Sequence, residues 1–209
     1  MLRILIADDH TVVRKGLKQI LLDEFTAAVI EEVADAEELI KKVMTDKWDV
    51  VVSDLSMPGR SGLDALQQLK ISHPELPVLI LSIHPEEQYA LRALKSGASG
   101  YLSKDTAPDE LVKAVRKVLL GKKYISQSIA EKLASTFSSD TVMNPHESLS
   151  DREFDVMKLL ANGKSVSEIA EMLSLSVTTV STYRARVMVK MDLKSNSDLT
   201  KYAIENNLL

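Results

Sequence analysis

The 209-residue chain contains no cysteine, which excludes a disulfide framework, a thiolate zinc site and a cysteine nucleophile. No apolar run approaches the roughly 18 uncharged residues that a membrane-crossing helix needs. The opening Met1-Leu-Arg-Ile-Leu-Ile-Ala-Asp-Asp9 meets acid too early to be a secretory apolar core. These absences predict a cytoplasmic protein with no membrane partner. A G-x-G-x-x-G or P-loop run is also missing, which argues against a nucleotide site. The four histidines, His10, His73, His84 and His146, are too scattered to suggest a metal cluster.

Net positive charge is missing too. The formal charge is −4, and neither half is basic: residues 1–120 carry 15 Lys and Arg against 19 Asp and Glu, and residues 144–209 carry 8 against 9. A nucleic-acid surface would therefore have to be a local stripe. What the chain does have is apolar content, 45% of its residues, enough for real cores and too much for wholesale disorder. Its length fits two modest domains.

Five short β-rich runs occupy residues 3–7, 29–33, 49–54, 78–82 and 100–103, separated by amphipathic patterns near 11–22, 36–46, 62–72, 86–96 and 108–120. Strand-helix alternation of this kind predicts a parallel sheet covered on both faces. The pattern then changes. One more helical stretch is predicted near 126–137, followed by a Ser-, Thr-, Asn- and Pro-rich tether. Residues 149–209 contain no convincing strand but four helical patterns, the first opened by the capping box Ser150-Asp-Arg-Glu153.

Asp8 and Asp9 stand where the first run ends, and Asp54 closes the third. In a doubly wound parallel sheet, ligands bind beyond the carboxyl ends of the strands. If the first and third strands are neighbours, three carboxylates converge there, and their mutual repulsion calls for a cation. Oxygen-only ligands suit a hard ion such as Mg²⁺. Taken alone, Asp8 or Asp9 reads first as a helix cap or a solvated loop acid. Ser82 and Lys104, ending the fourth and fifth runs, change that balance. A hydroxyl and an ammonium beside an acid cluster are suited to holding a phosphoryl group.

Ile-Leu-Ile-Ala-Asp-Asp-His, Val-Val-Ser-Asp-Leu-Ser-Met-Pro-Gly and Gly-Ala-Ser-Gly-Tyr-Leu-Ser-Lys-Asp resemble the receiver domain of two-component response regulators. The resemblance implies a flavodoxin-like (βα)₅ fold that accepts a phosphoryl group from a sensor histidine kinase. It implies Asp54 as phosphoacceptor, with Asp8, Asp9, Asp54 and the Ser56 carbonyl around Mg²⁺. Ser82 would be the switch hydroxyl, Lys104 the phosphoryl-binding lysine, and Tyr101 the aromatic that changes rotamer with the switch. Two positions depart from the family. Ile83 stands where receivers commonly have a small residue, and is expected to crowd the phosphoryl group. Asp105 replaces the proline that often follows the lysine, removing the usual reason to expect a cis peptide there.

In the second half, Ser167-Glu-Ile-Ala-Glu-Met-Leu173 and Ser176–Met191 read as a short helix, a tight turn and a longer polar-faced helix, which is helix-turn-helix geometry. Ile169, Leu173, Val177, Val180, Val187 and Met191 would pack the two helices together. Segment 176–194 carries a net +3, which read alone is either a DNA-facing stripe or a solvated helix face. Leu-Ser-Asp-Arg-Glu, Leu-Leu-Ala-Asn-Gly, Glu-Ile-Ala-Glu-Met-Leu and Ser-Val-Thr-Thr-Val-Ser-Thr-Tyr-Arg resemble the four-helix DNA-binding domain of the LuxR/NarL/FixJ family. By position, Ser181, Thr182 and Ala185 would read bases. Thr179, Arg184, Arg186 and Lys190 would meet the backbone, and Thr178 would meet either. Family members often have lysine at Ser181 and histidine at Tyr183, so base preference does not carry over.

The expectation is an α/β receiver at 1–121, a linker with a helix at 122–145, and an all-α helix-turn-helix domain at 146–209. Phosphorylation would drive homodimerisation and binding to double-stranded promoter DNA, with RNA polymerase a further partner. Substrate turnover is not expected: a haloacid-dehalogenase-type hydrolase would need an acid two residues after its nucleophile, where this chain has Ser56. A third reading is a phosphorylation-gated interaction module whose helix-turn-helix has lost DNA.

Overall fold

Val50-Val-Val-Ser-Asp54 is buried at every position, as a central strand covered on both faces must be. In the computed structural model, which describes residues 1–57, 60–131 and 144–209, this strand is β3. It lies between β1 (Arg3–Ala7) and β4 (Val78–Ser82), with β2 (Val29–Val33) and β5 (Gly100–Ser103) at the edges. All pairings are parallel and the order is β2-β1-β3-β4-β5. The acid-bearing strands β1 and β3 are therefore neighbours, at the point where the strand order reverses.

Helices α1 (Thr11–Glu24), α2 (Ala36–Thr45), α3 (Gly62–Ser72), α4 (Glu86–Lys95) and α5 (Ala107–Leu119) connect the strands. Period-two alternation sends Ile4, Ile6, Val50, Val52, Leu79, Leu81 and Leu102 to one face. There they pack with Leu17 and Leu21 of α1 and Leu111, Ala114, Val115 and Val118 of α5. The alternate residues Leu5, Val51 and Ile80 are buried as well. Asp35 caps α2 and Ser61 caps α3, each accepting the backbone N–H three residues on.

The predicted linker starts differently from expectation. Tyr124 bridges Gly100 at the edge of β5, and its amide donates to the Ser99 carbonyl (2.8 Å). Ile129 is buried. The contact requires a glycine, because a Cβ on Gly100 would lie 2.5 Å from the Tyr124 carbonyl oxygen. Residues 122–131 thus pack with the first unit, and 127–131 are helical. The rest of the predicted helix and the tether, residues 132–143, lie outside the described residues.

The chain divides into two compact units, Met1–Ser139 and Asp140–Leu209. After a 3₁₀ turn at Pro145–Ser148, the second contains α6 (Asp151–Ala161), α7 (Val166–Met172), α8 (Val177–Met191) and α9 (Asn196–Glu205). Serine caps all four: Ser150, Ser165, Ser176 and Ser195 each accept the backbone N–H three residues on, with full capping boxes at Ser150/Glu153 and Ser165/Glu168. Phe154, Met157, Leu160, Ile169, Val180, Val187, Met191 and Leu199 form its core. Val177 was expected in that core but is 51% exposed, and Leu173 is half-buried. The serine cap starts α8 at Val177 and turns that first position outward. Among the described residues, no helix is long and apolar enough to cross a membrane.

Candidate phosphoryl-acceptor and DNA-facing sites

The parallel register brings the ends of β1, β3, β4 and β5 to one sheet edge. Asp8, Asp54 and Ser82 are all buried there. Lys104 reaches in from the loop after β5, its Nζ 2.7 Å from Asp8 Oδ2 and 2.9 Å from Asp54 Oδ2. Its amide donates to the Ser82 carbonyl (2.8 Å), which ties the lysine loop to the end of β4. Burial raises the Asp54 pKa above the ordinary carboxylate value. The Lys104 charge opposes that rise without cancelling it, and the Asp8 charge adds to it. Burial works against the Lys104 ammonium, but Asp8 and Asp54 outweigh it and raise the lysine pKa. An electropositive group is thereby kept beside a carboxylate that burial makes costly to ionise.

The backbone around Asp54 is packed to the limit. The Gly62 amide donates to the Leu55 carbonyl (2.9 Å). A Cβ on Gly62 would lie 2.1 Å from the Asp54 carbonyl oxygen. Ser56 sits on this loop, and its Oγ hydrogen-bonds His84 Nε2 (2.8 Å). His84 links several parts of the site. Its amide donates to Ser82 Oγ (3.0 Å), its carbonyl accepts from the Tyr101 hydroxyl (2.9 Å), and its ring stacks on Tyr89. Tyr101 is buried, and burial raises its pKa. Ile83 is 71% exposed. No cis peptide occurs among the described residues.

The acid cluster fits a hard divalent cation. One ligand atom each from Asp8, Asp9, His10 and Asp54 lies within 4.8 Å of all the others. Asp8 Oδ2 and Asp9 Oδ1 are buried atoms without a hydrogen bond, although Lys104 Nζ is 2.7 Å from the first and His10 Nδ1 is 2.6 Å from the second. Both oxygens thus have close positive or polar neighbours, and a carboxylate oxygen keeps a second lone pair that a cation can take.

Histidine is where reading the sequence fell short. The four do not cluster with one another, yet His10 borders the acids and His84 bonds Ser56. For His10 the signal was its place directly after the acid pair. For His84 there was none, since its partner lies 28 residues away. Gly62 and Arg14, whose Nη1 donates to the Asp8 carbonyl (2.5 Å), were also missed.

In the second unit, Thr178, Ser181, Thr182, Ala185, Arg186 and Lys190 are exposed along α8, and Thr179 and Arg184 are half-exposed. Several of these groups already have partners. Thr179 N–H is capped by Ser176, and Thr182 Oγ1 donates to the Thr178 carbonyl (3.0 Å). Arg184 Nε donates to Asn196 Oδ1 (3.0 Å). Lys190 Nζ pairs with the buried Glu153 carboxylate at 2.6 Å. The cationic stripe is therefore thinner than its formal charge, with Arg186 and Lys194 its most outlying members.

Comparison with known proteins agrees with both halves. Residues 4–116 match the response regulator receiver domain, and residues 147–203 match the bacterial regulatory proteins of the luxR family. The chain is 37% identical over 209 residues to the response regulator UvrY of Escherichia coli K12, covering 100% of this chain and 96% of that one. It is 40% identical over 215 residues to the oxygen regulatory protein NreC of Staphylococcus haemolyticus, covering 100% and 99%. Among solved structures it resembles RcsB of Salmonella enterica serovar Typhimurium bound to promoter rprA with phosphomimetic BeF₃⁻, at a TM-score of 0.63 and 26% identity over 97% of this chain and 98% of that one. A flavodoxin-like receiver followed by a LuxR-type helix-turn-helix makes this chain a member of the NarL/FixJ family of response regulators.

Proposed function

We propose that Asp54 accepts a phosphoryl group from the phosphohistidine of a sensor kinase, and that this event controls dimerisation and binding of the second unit to promoter DNA. The observation that carries the reading is the buried Asp54 carboxylate held 2.9 Å from the Lys104 ammonium, with Asp8 and Ser82 at the same strand edge. An Asp54 carboxylate oxygen attacks phosphorus. The P–N bond breaks as the P–O bond forms, and the departing imidazole keeps the electron pair. Lys104 neutralises charge on the transferred oxygens, and the Ser82 hydroxyl can donate to one of them.

Asp8, Asp9, Asp54 and the Ser56 carbonyl would hold Mg²⁺, which when bound supplies charge neutralisation for the phosphoryl group. Phosphorylation replaces the single charge of the Asp54 carboxylate with a phosphoryl group carrying up to two negative charges and three acceptor oxygens beside Lys104 and Ser82. A Ser82 hydroxyl drawn toward Asp54 gives up the His84 amide, and His84 also accepts from Tyr101. Ser82, His84 and Tyr101 thus form one connected switch. The chain acts as acceptor and transmitter, not as a catalyst with turnover, because Ser56 stands where a hydrolase of this geometry needs an acid.

For the second unit the proposal is that α8 enters the major groove. Ser181, Thr182 and Ala185 face bases, with Thr178, Thr179, Arg184, Arg186 and Lys190 toward the phosphates. The segment numbered 122–145 joins the two modules, and RNA polymerase is a further partner of the DNA-bound dimer. RcsB is a relative whose solved complexes include two dimers on two parallel DNAs, which supports dimeric binding here. The chemical step is tested by treating the full chain with a small phosphodonor and Mg²⁺, then reducing with borohydride and sequencing by mass spectrometry. Conversion of Asp54 to homoserine is expected. Labelling confined to another residue would refute the assignment.

A further inference from the structure

Val189 is 80% exposed, whereas Val180 and Val187 of the same helix are fully buried. It does not stand alone. Thr178, Thr182, Ala185 and Val189 are spaced by four, three and four residues, which lines them up on one face of α8, and all four are exposed. Val180, Val187 and Met191 occupy the opposite face and enter the core. The Thr182 hydroxyl donates to the Thr178 carbonyl (3.0 Å), so its proton is held within the helix and the methyl is left to meet a partner. Ala185 and Val189 have only methyl groups to present. The centre of the outward face is therefore a ridge of methyl groups, about 16 Å long from Thr178 to Val189.

The borders of the ridge say what covers it. Arg186 and Lys194 are exposed beside and beyond it, and segment 176–194 carries a net +3. An apolar centre with a cationic margin matches the major groove, where phosphates form the walls and methyl groups stand among the base edges. Of the four bases, thymine alone offers a methyl there, at C5. The side chains that pair with adenine or cytosine are missing, because α8 contains no Asn, Gln, Asp or Glu. Arg184 Nε is engaged by Asn196 Oδ1 (3.0 Å), which leaves Arg186 as the exposed guanidinium of the helix.

We infer that α8 reads its half-site chiefly through thymine C5-methyl groups, met by the Thr182 methyl, by Ala185 and by Val189. The inference rests on α8 entering the major groove; it adds Val189 to the reading face and names the base. Thr182 and Ala185 are about 4.5 Å apart along the helix axis, close to the spacing of about 3.4 Å between base pairs, so they meet neighbouring pairs.

The test uses a duplex selected from random DNA by the full chain treated with phosphodonor and Mg²⁺. Each thymine is replaced in turn by deoxyuridine, which removes one methyl and leaves the hydrogen-bonding edge unchanged. Binding should weaken about fourfold at two or more positions. Thr182→Ser keeps the hydroxyl and deletes the methyl; it should lose the uracil effect at one position and keep it at the others. Val189→Ala should do the same at a different position. Both residues are exposed, so both variants are expected to fold, and the wild-type uracil scan tests the inference without them. A selected half-site without thymine, indifference to uracil throughout, or uracil effects unchanged in both variants would overturn the inference while leaving DNA binding by α8 intact. So would loss of self-association in Val189→Ala without DNA, accompanied by unchanged uracil effects, since the ridge would then join two copies of the chain. Failure to select any duplex would overturn the inference together with the reading it rests on.

Discussion

Glu153 performs two tasks from a single carboxylate. It completes the capping box at the start of α6 by accepting the Ser150 amide (2.8 Å), and it receives the Lys190 ammonium of α8 (2.6 Å). Burial alone would push its pKa up, but Lys190 and Ser150 outweigh burial and hold it below the ordinary 4.5. A carboxylate depressed in the folded state stabilises it fully above the unfolded pKa, and loses that contribution as pH falls through the folded value. Glu153→Gln should therefore destabilise the second unit by about 1–2 kcal/mol at pH 7, with the half-exposed lysine keeping the figure modest. The deficit should shrink once the pH drops below 4.5. Hydrogen exchange of the α6 amides at the two pH values measures it; an equal deficit at both would rule the charge out as the cause. This pair was invisible in the sequence because its partners lie 37 residues apart. Position alone marked Lys190 as a DNA contact, whereas only packing reveals that its charge is partly spent inside the unit.

Local signals sufficed for the elements. The buried runs became β1 to β5, since strands covered on both faces leave continuous apolar stretches. The capping box Ser150-Asp-Arg-Glu153 marked the start of α6, since a side-chain cap is a contact between near neighbours. What the local signals could not report is close approach between segments distant in the chain. Gly62 looks like an ordinary helix-start glycine, yet α3 packs its first residue directly against the backbone of Asp54. Gly62→Ala is expected to cost about 1–3 kcal/mol through overpacking, because the clashing atom is backbone and cannot swing aside. It should also slow phosphoryl acceptance by displacing the Asp54 loop. Thermal unfolding together with the rate of phosphodonor labelling checks both, and a variant with wild-type values would show that α3 does not set the acceptor's position. The early part of the linker escaped notice for a related reason: Tyr124 finds its place only because Gly100, 24 residues earlier, has no side chain.

For the whole molecule, a formal charge of −4 hides a division of labour. Three of the 19 acids in residues 1–120, Asp8, Asp9 and Asp54, meet at a strand edge where they can serve a cation and a phosphoryl group, while α8 and the turn after it are locally basic. With the Lys190 charge largely offset by Glu153, Arg184, Arg186 and Lys194 carry most of the net charge that α8 and its turn bring to phosphates. The log–log slope of DNA affinity against salt should then be about −3 for one subunit and about −5 to −6 for two. A single module with so few contacts binds weakly, so linkage of two modules through a phosphorylation-dependent dimer is the economical route to useful affinity. The most direct test of that account is a titration of a selected two-half-site DNA with wild-type chain and with Asp54→Asn, each with and without phosphodonor and Mg²⁺, at fixed salt. It predicts that the donor tightens binding and raises the stoichiometry to two chains per DNA in the wild type alone. An equal response from Asp54→Asn would contradict it.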